Sequence, residues 1–461
     1  MVAESPKSNS LAPSHEEPPV CREELVQVFA AAEVEPDEFR IGAEEEKFGV
    51  LRPERTPLPY AGPRGVAQVL AGLAEQHGWE AAAEFADGPV IALKLRQQSI
   101  TLEPGAQLEL SGAPLPDLHA IRAEKLQHLQ ELLPLSSALG ISWHSVGFHP
   151  TARQAELPWV PKTRYPIMKS YLPGRGNGAL DMMRRTATVQ ANYDYKSERD
   201  ALRKLVVALK LSPLIHALLA NSPFYEGASS GKKSLRGDVW RRMDPSRSGL
   251  IPVLWNNPQP GYEDYVEWSL DAGMFLIWRD GEAIKNTGQT FRDFLEHGYQ
   301  GHRATLSDYR LHLSTLFPEI RLKNTLEVRP CDALPIELSL SALGLWTGIL
   351  YGEEALRLAE DFCAQLDSET IEQARPELTA RGLHAPLLKD QSTWALGEQL
   401  FEIARRGLIE RARGEERYLG PIAELLETRK CPADLLLEEV QNGKDVLSAT
   451  ELQQLGSQSP S

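Results

Sequence analysis

The sequence predicts an α+β fold built on a largely antiparallel sheet, and three observations support this. Short segments with period-two alternation of apolar and polar residues recur as far as Pro330. Stretches with the 3.6-residue period lie between them, without the regular strand–helix–strand alternation of a parallel sheet. From about Leu334 onward the pattern is almost wholly helical.

The strand-like segments, in chain order, are "RIGAEEEKFGV" (40–50), "VIALKLRQQSITLEP" (90–104), "AQLELSG" (106–112), "ISWHSVGFHP" (141–150), "RTATVQANYDY" (185–195), "MFLIWRD" (274–280) and "IRLKNTLEVRP" (320–330). Helical periodicity marks "REELVQVFAAAEV", "GVAQVLAGLAEQHGW" and "PDLHAIRAEKLQHLQELLPLSSALG", where Leu118, Ile121, Leu129, Leu132 and Leu133 trace one stripe. A further helix is expected to start at Ser197, an N-cap with Asp200 three residues on, and to break at Pro213. "LSALGLWTGILYGEEALRLAEDFCAQL" and "STWALGEQLFEIARRGLIERAR" dominate the last third. Two basic, glycine-rich loops, 171–185 and 221–249, are too long for simple turns.

The bulk properties exclude some function classes. The 461 residues carry 64 acidic and 49 basic side chains, a formal net charge of −15, which argues against nucleic-acid or anionic-membrane partners. No apolar run is long enough to span a membrane. Cys21, Cys331, Cys363 and Cys431 are scattered, with no metal-ligand spacing, and read as unpaired thiols. The opening "MVAESPKSNSLAPSHEEPPV" reads as a disordered lead over 1–20 rather than a signal or transit peptide, so a cytoplasmic location is expected.

Charge placement is more telling. Side chains at i and i+2 share a strand face, so Glu44 and Glu46 point one way while Glu45 and Lys47 point the other. Two carboxylates about 6–7 Å apart repel by roughly 2.5 kcal/mol at an effective dielectric near 20, so a cation should compensate them. In "RTATVQANYDY" the even positions, with Arg184 just before, are polar: Thr186, Thr188, Gln190, Asn192 and Asp194. In "IRLKNTLEVRP" Arg321, Lys323, Thr325, Glu327 and Arg329 share parity, as do Glu103, Gln107 and Glu109 in "LEPGAQLELSG" if Pro104-Gly105 leaves the strand intact. Carboxylates from one set of strands, with Arg, Lys, Gln and Asn from another, suit a hard divalent cation held against phosphate oxygens. Two other signals fail. "GASSGKKS" has three residues between Gly227 and Gly231 where a phosphate-binding loop needs four. His144 and His149 read as structural.

"RIGAEEEKFG", "ITLEPGAQLELSGAPLPDLH", "WVPKTRYPIMKSYLP", "ALDMMRRTATVQANYDY", "ANSPFYEG", "SLRGDVWRRMDPSRSGLIP" and "FPEIRLKNTLEVR" together resemble the plant-type glutamate–cysteine ligase family, in order from about Arg40 to about Gly443. The resemblance implies a glutamine-synthetase-like fold, a curved, mainly antiparallel sheet wrapped by helices. It implies one catalytic domain over 21–445 and a tail over 446–461. It implies Glu44, Glu46, Glu103, Glu109 and Glu327 as Mg²⁺ ligands, and Arg185, Arg236, Lys323 and Arg329 as catalytic residues. Gln190, Asn192, Trp240 and Arg321 would then bind substrate. The implied reaction is ATP-dependent joining of the glutamate γ-carboxylate to the amine of cysteine through γ-glutamyl phosphate, the first step of glutathione biosynthesis. A related ligase using another amine acceptor is the alternative. The implied partners are glutamate, cysteine and ATP, with a monomer or homodimer as the assembly.

Overall fold

The computed structural model describes residues 17–85, 87–388 and 391–452. Most of the expected lead and the end of the expected tail lie outside the described residues. Ten strands form the main sheet: β1 (Ile41–Leu51), β2 (Thr56–Pro57), β3 (Glu80–Ala82), β4 (Ala92–Leu95), β5 (Gln98–Leu102), β6 (Leu108–Ser111), β7 (Ile141–His144), β8 (Val189–Tyr193), β9 (Ile320–Leu322) and β10 (Leu326–Val328). The order is β9-β10-β8-β1-β6-β5-β4-β3, with β2 and β7 pairing to the end of β1, and every pairing is antiparallel. With its helices this is the α+β class that the sequence predicts.

β1 is the axis of the sheet, and its alternation decides the two faces. Ile41, Ala43, Glu45 and Lys47 are buried, while Gly42, Glu44 and Glu46 are half-buried on the opposite side. The buried acid in this "EEE" run has a local answer. The Glu45 carboxylate accepts from Lys125 on α1 (Leu118–Ala138) and from Ser339, in a dry ion pair behind the sheet. Burial would raise its pKa, but Lys125 and Lys47 hold it below the usual carboxylate range.

Two local expectations change once the neighbours are in place. Arg184 and Arg185 do not extend β8. They end a helix, α2 (Ala179–Arg185), and the strand starts only at Val189. Ser197 does cap α3 (Glu198–Leu218), accepting from the Asp200 amide at 3.3 Å, yet the helix runs through Pro213 without ending. Nearly every residue from Asp200 to Leu218 is buried, and that packing outweighs the lost hydrogen bond at the proline.

After the short α4 (Leu235–Trp240), the C-terminal third supplies α5 (Ile336–Tyr351), α6 (Ser368–Arg381) and α7 (Thr393–Glu410). A β-carbon on Gly407 of α7 would lie 1.8 Å from the Gly348 carbonyl oxygen of α5, so these two helices touch backbone to backbone where only glycine fits. The expected tail also changes. Val446–Thr450 is helical, Thr450 meets His144 Nδ1 at 2.9 Å, and the Leu452 amide donates to the Trp143 carbonyl at 2.8 Å. That segment docks on β7. No helix among the described residues is long and apolar enough to cross a membrane.

Candidate active site

Strand register sorts the polar face into cross-strand rows. Gly42, Asn192, Glu327 and Arg321 form one row, Ser111, Glu44 and Gln190 the next, and Thr101, Glu109 and Glu46 a third. The carboxylates named from the sequence therefore fall into two groups with different surroundings.

Glu327 is fully buried. It lies 2.7 Å from Arg321 Nη2 and 2.7 Å from Lys323 Nζ, and it also pairs with Arg329. "IRLKNTLEVRP" makes this possible because it folds as a hairpin, which sets Arg321 directly opposite Glu327. Burial opposes ionisation, yet Arg321, Lys323 and Arg329 hold the carboxyl well below the usual range. Glu327, expected as a metal ligand, is thus surrounded by three cations in this structure. Arg321, expected to bind substrate, spends its remaining nitrogen on the Leu316 carbonyl at 2.8 Å and the Ser314 carbonyl at 3.2 Å. Arg329 reaches on to the Gln190 side-chain oxygen, and Asn192 donates to Glu44 at 2.8 Å while accepting from Thr325 at 3.0 Å.

Glu44, Glu46, Glu103 and Glu109 form the second group, and none of them makes an ion pair among the described residues. Glu46 and Glu109 sit opposite each other on β1 and β6. Glu46 accepts only the Thr188 amide, at 3.1 Å, and Glu109 only the Thr101 hydroxyl, at 2.7 Å. Burial, then Glu109 and Glu103, drives Glu46 well above the usual carboxylate range; burial, then Glu44 and Glu103, pushes Glu109 up to about 8.

Glu103 joins them by a different route from shared strand parity. A tight turn over 103–107 breaks the strand, with Ala106 at φ 67°, and the β5–β6 hairpin folds Glu103 back toward Glu109. A β-carbon on Gly105 would sit 2.4 Å from the Arg184 carbonyl oxygen, so this turn needs its glycine. Gln107 ties the turn to the chain before β8, donating to the Thr186 carbonyl at 2.9 Å.

A cavity enclosing about 640 Å³, open to solvent, is lined by Glu46, Glu103, Arg164, Arg236, Trp240 and Arg329, with Met182, Met183 and Phe317 among its apolar walls. A neighbouring cavity of about 550 Å³ shares Arg236, Trp240, Phe317 and Arg329 and is bounded by His216 of α3 and Arg375 of α6. Arg236 spans both: it donates to the Pro330 and Arg329 carbonyls at 2.9 and 3.0 Å, and its Nε has no partner among the described residues. Lys323 lies at the outer edge beside a different hollow, with Asn324 and Arg310.

Two cations were not singled out from the sequence. Arg164 faces Glu103 across the larger cavity, and Lys162 neighbours Glu103 and Glu109. Burial pulls the Lys162 ammonium down to about 8, with Glu103 acting against that shift. The signal was present in the basic run "PKTRYPIMK", but its spacing matches no simple template. Arg185, expected to be catalytic, lies apart from the others. Because α2 is helical to its last residue, Arg185 does not lie on the sheet face and lines a separate cavity. Among the described residues, no three His, Cys, Asp or Glu side chains are arranged to hold a metal ion on their own.

Residues 40–451 match the model of glutamate-cysteine ligase family 2. The chloroplastic glutamate–cysteine ligase of Medicago truncatula is 38% identical over 441 residues, covering 95% of this chain and 85% of that protein. The chloroplastic glutamate–cysteine ligase of Arabidopsis thaliana is 37% identical over 447 residues, covering 96% and 84%. Among solved structures, a glutamate–cysteine ligase from Francisella tularensis in complex with AMP aligns over 89% of this chain and 87% of its own, with a TM-score of 0.56 at 14% identity. The plant relatives are chloroplastic, which contradicts the expected cytoplasmic location.

Proposed function

The chain belongs to glutamate-cysteine ligase family 2, and we propose that it performs the family's ATP-dependent reaction at the uncompensated end of its polar sheet face. The enzyme joins glutamate to cysteine in glutathione biosynthesis. A carboxylate is a poor electrophile, so one of its oxygens must first become part of a leaving group. A γ-carboxylate oxygen of glutamate attacks the γ-phosphorus of ATP, ADP departs, and γ-glutamyl phosphate forms. The cysteine nitrogen then adds to the acyl carbon, phosphate leaves with the former carboxylate oxygen, and the amine proton is released.

The observation that carries this reading is a cluster of half-buried and buried glutamates that makes no ion pair among the described residues and faces arginines across one cavity. Two or three carboxylates forced together in a half-buried site have two ways to lower their energy: take up protons or bind a cation. Their oxygen donors suit Mg²⁺, which keeps waters and shares its coordination with phosphates, so a preformed protein cage is not required. Glu44, Glu46, Glu103 and Glu109 would hold it, and when bound it neutralises charge developing on the transferred phosphoryl group.

The chain's own cations act around that centre. Lys162 and Arg164 approach from the loop and helix beside Glu103, where they can meet phosphate oxygens. Arg236 and Arg329, shared by the two cavities, hold the amino-acid carboxylates and bring the reacting atoms together. Trp240 walls off the same space from water.

The test is incubation with ATP, Mg²⁺, glutamate and cysteine, followed by mass spectrometry. The expected products are γ-glutamylcysteine, ADP and phosphate in equal amounts. Phosphate release that ignores glutamate, or a γ-glutamyl product formed only with another amine, would refute the assignment.

A further inference from the structure

We propose that the cavity on the far side of α2 is a second binding site, for a small α-amino-acid zwitterion gripped by Arg185. Met182, Met183 and Thr186 line the reaction cavity, whereas Asp181 and Arg185 line this one, a space of about 580 Å³ bounded also by Gln154, Tyr225 and Glu226.

Arg185 is 1% exposed, and its guanidinium carbon lies 4.6 Å from the ring centres of both Phe148 and Tyr225. Aromatic rings therefore cover the guanidinium, and its remaining hydrogen-bonding capacity is directed through its edge. Nη1 has two acids at long range, Asp181 at 3.4 Å and Glu226 at 3.5 Å. Nε and Nη2, the fork that matches a carboxylate in a bidentate pair, have no partner among the described residues. The Gln154 side-chain nitrogen, on the same cavity, is also without one, its oxygen being taken by Arg184.

Unmet donors beside two acids held only by long contacts, Asp181 and Glu226 to Arg185 Nη1 and Glu226 also to Arg153 Nε at 3.9 Å, select the ligand's chemistry. A plain anion would fill the fork but face Asp181 and Glu226. A plain cation would meet the acids and leave the fork empty. An amino acid satisfies both, its carboxylate on Arg185 and Gln154 and its ammonium on Asp181 and Glu226. Glu226 is held for this contact by a strained turn: it sits at φ 51°, followed by Gly227 at φ 85°, between the short strands Phe224–Tyr225 and Ala228–Ser229. The buried fork becomes reachable when that turn shifts and the ligand's carboxylate takes the place of Glu226 beside the guanidinium.

Ligand-observed saturation-transfer NMR on the full chain tests this with glycine, acetate and methylammonium as probes. Glycine should bind saturably, and each one-charge probe about tenfold more weakly or worse. Gln154→Leu and Glu226→Gln, which carry less folding risk than Arg185→Lys, should each weaken glycine about tenfold, while Arg236→Lys leaves its binding unchanged. Absence of saturable glycine binding overturns the proposal. So does binding that Arg236→Lys removes while Gln154→Leu and Glu226→Gln retain it, because the probe would then occupy the reaction cavity.

Discussion

Two regions of the same sheet face treat buried carboxylates in opposite ways. On β10, Glu327 has no solvent exposure and three cationic partners. Two and three strands away, Glu46 and Glu109 face each other with one neutral donor apiece and no ion pair among the described residues. A charge that the fold neutralises for itself holds the fold together. A charge that it leaves uncompensated costs stability until a ligand arrives. The difference separates Glu327 from Glu46, Glu103 and Glu109 by their surroundings, though all four look alike in the sequence.

The largest effect that sharpens this contrast is Glu327→Gln. It strands three cations around a neutral group and should cost about 3–5 kcal/mol in urea-unfolding experiments. A variant of unchanged stability but poor activity would erase the distinction between the two regions. Glu46→Gln should do the reverse: turnover falls by about a hundredfold or more, while the ligand-free protein at pH 8 melts no lower than the parent, having lost a repulsion. Near-normal turnover would remove Glu46 from the reaction.

The pH dependence separates the two regions again. Glu46 and Glu109 have folded-state pKa values above their unfolded ones, so the folded state keeps their protons longer. Their contribution favours folding at low pH and is lost as pH rises from about 4.5 toward 8. Differential scanning calorimetry of the ligand-free protein should show the melting temperature falling across that window. Added Mg²⁺ should raise the melting temperature more at pH 8 than at pH 6. Glu327 is shifted the other way, so its contribution is present above its unfolded value and is lost only in acid, as pH falls toward its folded value. The smallest effect is expected from Thr101→Val, which removes the hydroxyl that donates to Glu109 and should change stability by about 0.5–1.5 kcal/mol. A change in the Glu327 region from this substitution would show that the two regions are not independent.

Much of this was legible in residue order, for local reasons. The alternation in β1 assigns Glu44 and Glu46 to one face and Glu45 to the other, and Ser197 marks the start of its helix. What misled was also local. Pro213 looked like a stop and Arg185 like a strand residue, because neither the packing around α3 nor the length of α2 is written in a short window. Lys162 and Arg164 gave no usable pattern, since what makes them matter is their distance from Glu103.

By itself, the chain order determined most of the strands and helices, the face that the charged side chains of β1 take, and the family to which the blocks from Arg40 onward belong. Only the tertiary structure decided which carboxylates keep their charge to themselves and which leave it for a ligand. Side-chain direction follows from backbone geometry over two to four residues. Charge compensation depends on which strands become neighbours, and β1 meets β8 across more than a hundred residues of intervening chain.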